Sequence, residues 1–98
     1  MSEQLEKETT KQKVEPPKMW NVVMYNDDFT PFDFVIGCLM YVFGKTESQA
    51  SKIAMDIHTK GKSVVGQYTR DMAETKQAMA QAFAVQEQHP LKIEIEQA

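Results

Sequence analysis

The chain has 98 residues, enough for one small domain, of which 42% are hydrophobic, and its formal net charge is −3 at pH 7. This mild acidity argues against a nucleic-acid-binding protein, which usually presents a basic face, and no apolar run is long enough to cross a bilayer. The single cysteine can form neither an internal disulfide nor a thiolate metal site, so we expect a cytoplasmic protein without a metal or cofactor.

Residues 1–18 are predicted to form a disordered N-terminal extension. This segment carries four Glu, four Lys and few apolar residues. It therefore cannot bury enough apolar surface to offset the conformational entropy lost on ordering. Two prolines, Pro16 and Pro17, mark its end, and we expect one folded domain over residues 19–98.

The first element of the domain is predicted to be a strand. Residues 19–25 are rich in aromatic and β-branched side chains and lead into a polar turn at 26–28. A helix rich in apolar residues on most of its circumference follows. Thr30 is predicted to be its N-cap and Pro31 its first residue, and Gly44 ends it.

The second helix is predicted to begin at Thr46, because Gln49 lies three residues further on and completes a capping box. It ends at Gly61, and residues 63–68 then predict a second strand. Thr69 is the predicted cap of a third helix. The residues expected to face inward from that helix are Met72, Ala73, Met79, Ala80 and Phe83.

The final segment, 91–95, alternates apolar and charged residues and predicts a half-exposed strand. The element order is then β-α-α-β-α-β. We expect an α/β fold, a single small open-faced sandwich whose three-stranded sheet is packed on one side by three helices.

The polar turn is the strongest candidate site. Asn26, Asp27 and Asp28 favour turns on local grounds, but two successive carboxylates exceed the needs of a cap. His58 ends a helix whose apolar stripe can face the same place, although a histidine there can also simply favour the negative end of the helix dipole. Anionic groups beside an apolar helix face suit a ligand with a positive end and an apolar end, such as a protein N-terminus with a large first side chain.

Two other classes of protein remain open at this point. The first is a small hydrolase that pairs Asp27 or Asp28 with His58, but the sequence shows no recognisable nucleophile, since Cys38 lies in the most apolar helix and is expected to be a buried, inert thiol. The second is an interaction module that binds a helical partner instead of a chain terminus.

Several separated motifs resemble ClpS, the family of adaptors of the bacterial ATP-dependent Clp protease. They are NDDFTP at 26–31, FV at 34–35, HTKGK at 58–62, VGQYT at 65–69, AETK at 73–76 and HPL at 89–91. The resemblance covers about 16–98 and implies a ClpS-like fold, similar to the C-terminal domain of the ribosomal stalk protein. It implies a non-enzymatic, monomeric adaptor that binds N-degrons, which are substrates beginning with Leu, Phe, Tyr or Trp. Such adaptors dock on the N-terminal domain of the ClpA unfoldase, and ClpP degrades the cargo.

The resemblance also implies roles for individual residues. Asn26, Asp27 and His58 match the positions that hold the α-amino group, and Asp28 completes the turn. The positions implied for the side-chain pocket are Thr30, Phe32, Val35, Ala54, Ile57 and Leu91. Those implied for the ClpA-facing surface are Asp71, Glu74 and Lys76, although their spacing alone predicts only a solvated helix face with charge pairs.

Two positions depart from the family pattern. Phe32 stands where Met is common, and Ala54 stands where a larger apolar residue is common. A bulkier side chain at one position and a smaller one at the other change the expected shape of the pocket, so the sequence predicts the class of ligand but not the ranking of the four first residues.

Overall fold

The structure is a computed structural model and describes residues 15–98. In chain order its elements are β1 (Met19–Tyr25), α1 (Phe32–Phe43), α2 (Glu47–Lys60), β2 (Lys62–Thr69), α3 (Arg70–Gln86) and β3 (Lys92–Gln97). This order confirms the predicted β-α-α-β-α-β fold. Disorder is predicted for residues 1–18, of which 1–14 fall outside the described residues, and it stays a prediction. In the described part of the chain, no helix combines the length and the apolar character that a membrane crossing needs.

The sheet has the order β2-β1-β3, and β1 pairs antiparallel with both neighbours. One face of the sheet carries the core, which also contains the buried residues of all three helices. The strand residues in this core are Val22, Met24, Val65 and Ile93. Charged side chains of the edge strands, such as Lys92 and Glu94, are exposed on the other face. The helices therefore cover one side of the sheet, as the sequence predicts.

Local signals determine where α2 begins and where both α1 and α2 end. The Thr46 hydroxyl accepts from the Gln49 backbone N–H at 3.1 Å, and the Gln49 side-chain oxygen accepts from the Thr46 N–H at 3.0 Å, so the predicted capping box is present. Gly44 and Gly61 end the helices in the left-handed conformation, with φ of 65° and 92°, which glycine adopts without a Cβ clash.

Two predictions about the helices were wrong. Pro31, not Thr30, is the N-cap of α1, because the Thr30 hydroxyl donates a hydrogen bond to Asp27 instead. Met72 and Met79 do not face inward from α3, since they are 47% and 41% exposed. The residues of α3 that are buried are Ala73, Ala80 and Ala84. Their small side chains let the helix lie close to the sheet, which turns the larger methionines toward solvent.

Candidate functional site

The turn between β1 and α1 is held together by one carboxylate. Oδ1 of Asp27 accepts hydrogen bonds from the backbone N–H groups of Phe29 and Thr30, at 2.8 and 2.7 Å, and Oδ2 accepts from the Thr30 hydroxyl at 2.7 Å. Asp27 therefore stabilises the turn, as expected for a residue type that favours turns on local grounds. A carboxylate offers about four acceptor sites, so one site on Oδ2 remains for a ligand.

The same hydrogen bonds affect the pKa of the Asp27 carboxylate. Partial burial acts to raise the pKa of Asp27, but the hydrogen bonds from Thr30 and Phe29 stabilise the ionised form, and the charge of His89 acts in the same direction. The net result is a pKa of Asp27 below its ordinary value. Asp27 is thus a fixed negative charge at neutral pH.

A backbone contact joins this turn to the end of α2. The N–H of Asn26 donates to the carbonyl of Gly61 at 2.8 Å, and the N–H of Gly61 donates to the carbonyl of Ile57 at 2.9 Å. The last turn of α2 carries His58, whose side chain is exposed. Side chains that are about thirty positions apart in the chain therefore meet at one place.

A cavity of about 530 Å³ opens where the turn and α2 meet. This volume lies within the range of about 300–1,000 Å³ that is usual for small-ligand sites. Its polar lining residues are Asn26, Asp27, Asp28, Thr30 and His58, and its apolar lining residues are Phe32, Val35, Ala54, Met55 and Ile57. Val35, Ala54 and Ile57 also belong to the buried core, so the apolar part of the lining is backed by packed protein.

The cavity brings together most of the residues that the sequence singles out. All four residues predicted for amine binding line it, as do five of the six predicted for the side-chain pocket. The exception is Leu91, which is 2% exposed and belongs to the core cluster instead of the lining. Sequence reasoning missed Met55. The signal that was present is its position, next to Ala54 and one helical turn before His58.

The three residues predicted for the ClpA-facing surface lie outside the cavity, on α3. Asp71 and Glu74 are exposed, and Glu74 pairs with Arg70 at 3.4 Å. Lys76 is different, because its ammonium donates to the carbonyl of Val42 in the last turn of α1 at 2.8 Å. Its charge therefore stabilises the C-terminal end of a helix.

The surroundings of the Cys38 thiol and the Thr30 hydroxyl do not activate either group as a nucleophile. Cys38 is buried, and burial raises the pKa of its thiol to about 11, which favours the unreactive protonated form. Among the residues that line the cavity, Thr30 supplies the one hydroxyl, and this hydroxyl donates to Asp27, not to a histidine. Residues 15–98 contain no group of three or more His, Cys, Asp or Glu side chains arranged to hold a metal ion.

Comparison with known proteins identifies the family of this chain. The family model described as ATP-dependent Clp protease adaptor protein ClpS matches residues 15–94. The chain belongs to the ClpS family. Its ClpS relatives include the ATP-dependent Clp protease adapter protein ClpS of Hydrogenovibrio crunogenus, which is 46% identical over 91% of this chain and 86% of the relative. The protein of the same name from Deinococcus radiodurans is 48% identical over 79% of this chain and 68% of the relative.

A solved ClpS structure has the same fold. The structure of Agrobacterium tumefaciens ClpS2 bound to L-phenylalaninamide matches with a TM-score of 0.82 and 35% sequence identity. The match covers 85% of this chain and 100% of the other. The relatives in this ClpS group are named as adaptors, a description consistent with a non-catalytic role.

Proposed function

We propose that this chain is a monomeric cytoplasmic adaptor that binds proteins through a free N-terminal Leu, Phe, Tyr or Trp and delivers them to the ClpA unfoldase of the Clp protease. The observation that carries the proposal is a single cavity with an anionic, hydrogen-bonding part and an apolar part. A chain terminus with a large first side chain has the matching pair of groups.

The polar part of the cavity suits an α-amino group. Such a group has an ordinary pKa of about 7.7–8.0, so most of it is cationic at neutral pH. Asn26 carries a side-chain amide oxygen that can accept a hydrogen bond, His58 lines the same part of the cavity, and Asp27 offers a fixed negative charge. Hydrogen bonds between charged partners are stronger than neutral ones, and neither an acetylated terminus nor an internal peptide can replace the ammonium.

The apolar part of the cavity suits one bulky side chain. Val35, Ala54 and Ile57 are already largely removed from water, so they present a preformed apolar surface. Burying a Leu or Phe side chain there contributes about 1.5–3 kcal/mol. The free energies of the two parts add, so their effects on affinity multiply, and the site demands both a free amine and a large first residue.

The related ClpS2 structure supports this assignment. L-Phenylalaninamide combines a free α-amino group with a benzyl side chain and has no second residue. A protein of the same fold thus binds a minimal mimic of an N-terminal phenylalanine, and this chain places polar and apolar groups in one cavity of suitable size.

Matched peptides test the binding step. We expect a peptide with a free N-terminal Phe to bind and its acetylated twin to bind at least about 100-fold more weakly, since both the charge and its hydrogen bonds are lost. Asn26→Ala should weaken binding, whereas Asn21→Ala should not, because Asn21 lies on the sheet and bonds to Gln67 at 3.0 Å. Equal titration curves for the two peptides would refute the proposal.

The delivery step needs a separate test. Reversing the charges of Asp71 and Glu74, with Lys at both positions, should leave peptide affinity unchanged because neither residue lines the cavity. We expect the same variant to slow degradation of a Phe-initiated reporter by ClpA and ClpP. Lys76 is a poor choice for this experiment, because its loss also removes the bond to Val42. Undiminished degradation would exclude Asp71 and Glu74 from the docking surface.

A further inference from the structure

Met55 is a cavity residue to which neither the motifs nor the family resemblance gives a role. It lines the cavity and is 49% exposed, whereas the adjacent Ala54 is 2% exposed. Its backbone is held in α2, where its carbonyl accepts a hydrogen bond from the Thr59 hydroxyl at 2.9 Å. The base of the side chain is therefore fixed, while its outer atoms reach solvent.

Two adjacent residues of α2, Ala54 and Met55, line the cavity with side chains of very different length. Ala54 contributes only a methyl group, which leaves room beside it. Met55 contributes a long unbranched side chain with three rotatable bonds, so it can fill that room to different extents. Phe32 lines the cavity from α1 and is 39% exposed. A rigid aromatic residue and a flexible thioether thus line one apolar region.

We infer that Met55 determines which first residue this chain prefers, because its thioether moves to cover the bound side chain and makes sulfur–ring contacts with aromatic ones. This inference rests on the proposed function. Sulfur contacts aromatic ring edges favourably, and an aliphatic side chain offers no equivalent partner. Met55 therefore favours Phe, Tyr and Trp over Leu, while the small Ala54 leaves space for the larger rings.

The experiment measures the affinity of peptides that begin with Phe, Trp or Leu and are otherwise identical. Met55→Ala should weaken binding of the Phe and Trp peptides roughly tenfold, because these peptides lose both the apolar cover and the sulfur contacts. It should weaken binding of the Leu peptide roughly threefold, because that peptide loses the apolar cover alone. Met55→Leu, which keeps the apolar bulk, should restore the Leu peptide more fully than the aromatic ones. The control is Met79→Ala, which removes a methionine of comparable exposure outside the cavity.

The outcomes of this experiment separate a failure of the proposed function from a failure of the inference about Met55. If the unchanged chain binds no free-amine peptide, the proposed function fails and the inference fails with it. If the unchanged chain binds but Met55→Ala leaves all three affinities unaltered, or lowers them equally, the inference alone is overturned. A loss of the same size in Met79→Ala would also overturn it. Thermal unfolding of each variant tests whether the fold is retained. We expect the Met55 variants to keep the fold, because Met55 is half exposed.

Discussion

Two segments of this molecule place carboxylates at the beginning of helices, one at 26–30 before α1 and one at 70–76 in the first turns of α3. In the first, the Asp27 carboxylate binds its own turn and lines a cavity. In the second, Arg70 and Glu74 form a pair whose side chains are 63% and 53% exposed. Carboxylates near the start of two helices therefore have very different surroundings.

The difference lies in the concavity of the surface more than in its composition. The turn becomes part of a cavity because Asn26 bonds to Gly61 at the end of α2. A ligand that fills a cavity excludes water from the polar groups of the lining, so its hydrogen bonds to them are stronger than on an open surface. Exposed ion pairs are screened by solvent and salt. The turn thus offers an enclosed place for a small charged group, whereas the start of α3 offers an open, solvated surface.

The largest effect that separates the two segments should come from Asp27→Ala. This change removes three hydrogen bonds within the turn and the negative charge in the cavity. We expect the free energy of unfolding to fall by about 1–2 kcal/mol and the affinity for a Phe-initiated peptide to fall at least about 100-fold. Urea denaturation and calorimetric titration measure the two quantities.

The adjacent carboxylate provides the control for that variant. Asp28 is exposed and also lines the cavity. Asp28→Ala should change the free energy of unfolding by less than about 0.5 kcal/mol while still weakening peptide binding. If both variants lost the same stability, Asp27 would have no special part in fixing the turn.

A second effect concerns pH and depends on Thr30. The folded-state pKa of Asp27 lies below its ordinary value of 3.8. Asp27 therefore contributes stability that is fully present above the unfolded pKa and is lost as the pH falls through the lower folded pKa. Thr30→Val removes the hydroxyl bond, so the pKa of Asp27 should rise and acid unfolding should begin at a higher pH. At pH 7 we expect a loss of about 1 kcal/mol.

Carboxyl NMR titration of Asp27 checks this expectation directly. The matched control is Thr75→Val, because the Thr75 hydroxyl donates to the Asp71 carbonyl at 3.0 Å within α3. The control should leave the titration of Asp27 unchanged. An unchanged titration in Thr30→Val as well would mean that the hydroxyl bond has no effect on the carboxylate.

Much of this fold follows from local chemistry. The capping box at Thr46 and the glycines Gly44 and Gly61 mark helix boundaries because each satisfies a backbone requirement close in sequence. The inward face of α3 could not be predicted in the same way. Apolar residues such as Met72 and Met79 compete there with alanines, and only the close packing of the helix on the sheet decides between them.

The site likewise has some features that local sequence predicts and others that depend on packing. The turn at 26–28 is visible in the sequence because amide and carboxylate side chains cluster there. Its proximity to His58 depends on how α2 packs, and the resemblance, not the spacing, predicts it. The contact of Lys76 with Val42 has no local signature, and the only sequence signal for Met55 in the lining is its position between Ala54 and His58 on α2. Both arise from elements that meet only in the folded chain.

A third prediction concerns Lys76, the charged residue of the α3 segment whose ammonium contacts another helix. Lys76→Met keeps the aliphatic stem but removes the ammonium that donates to Val42 at the end of α1. We expect a loss of about 1 kcal/mol in the free energy of unfolding, with unchanged peptide affinity. Lys52→Met, an exposed change on α2, is the control and should alter stability by less than about 0.5 kcal/mol. Equal effects would remove the distinction between the two lysines.

The smallest effect should follow Glu74→Ala. The pair that Glu74 forms with Arg70 is exposed on both sides, and Arg70 also lies 4.8 Å from the centre of the Trp20 ring. Because that cation–π contact remains, the loss of Glu74 should change the free energy of unfolding by less than about 0.5 kcal/mol and should leave peptide affinity unaltered. Urea denaturation at low and high salt measures it. A loss above about 1 kcal/mol that salt does not reduce would show that the start of α3 is organised like the turn, and concavity would no longer separate the two segments.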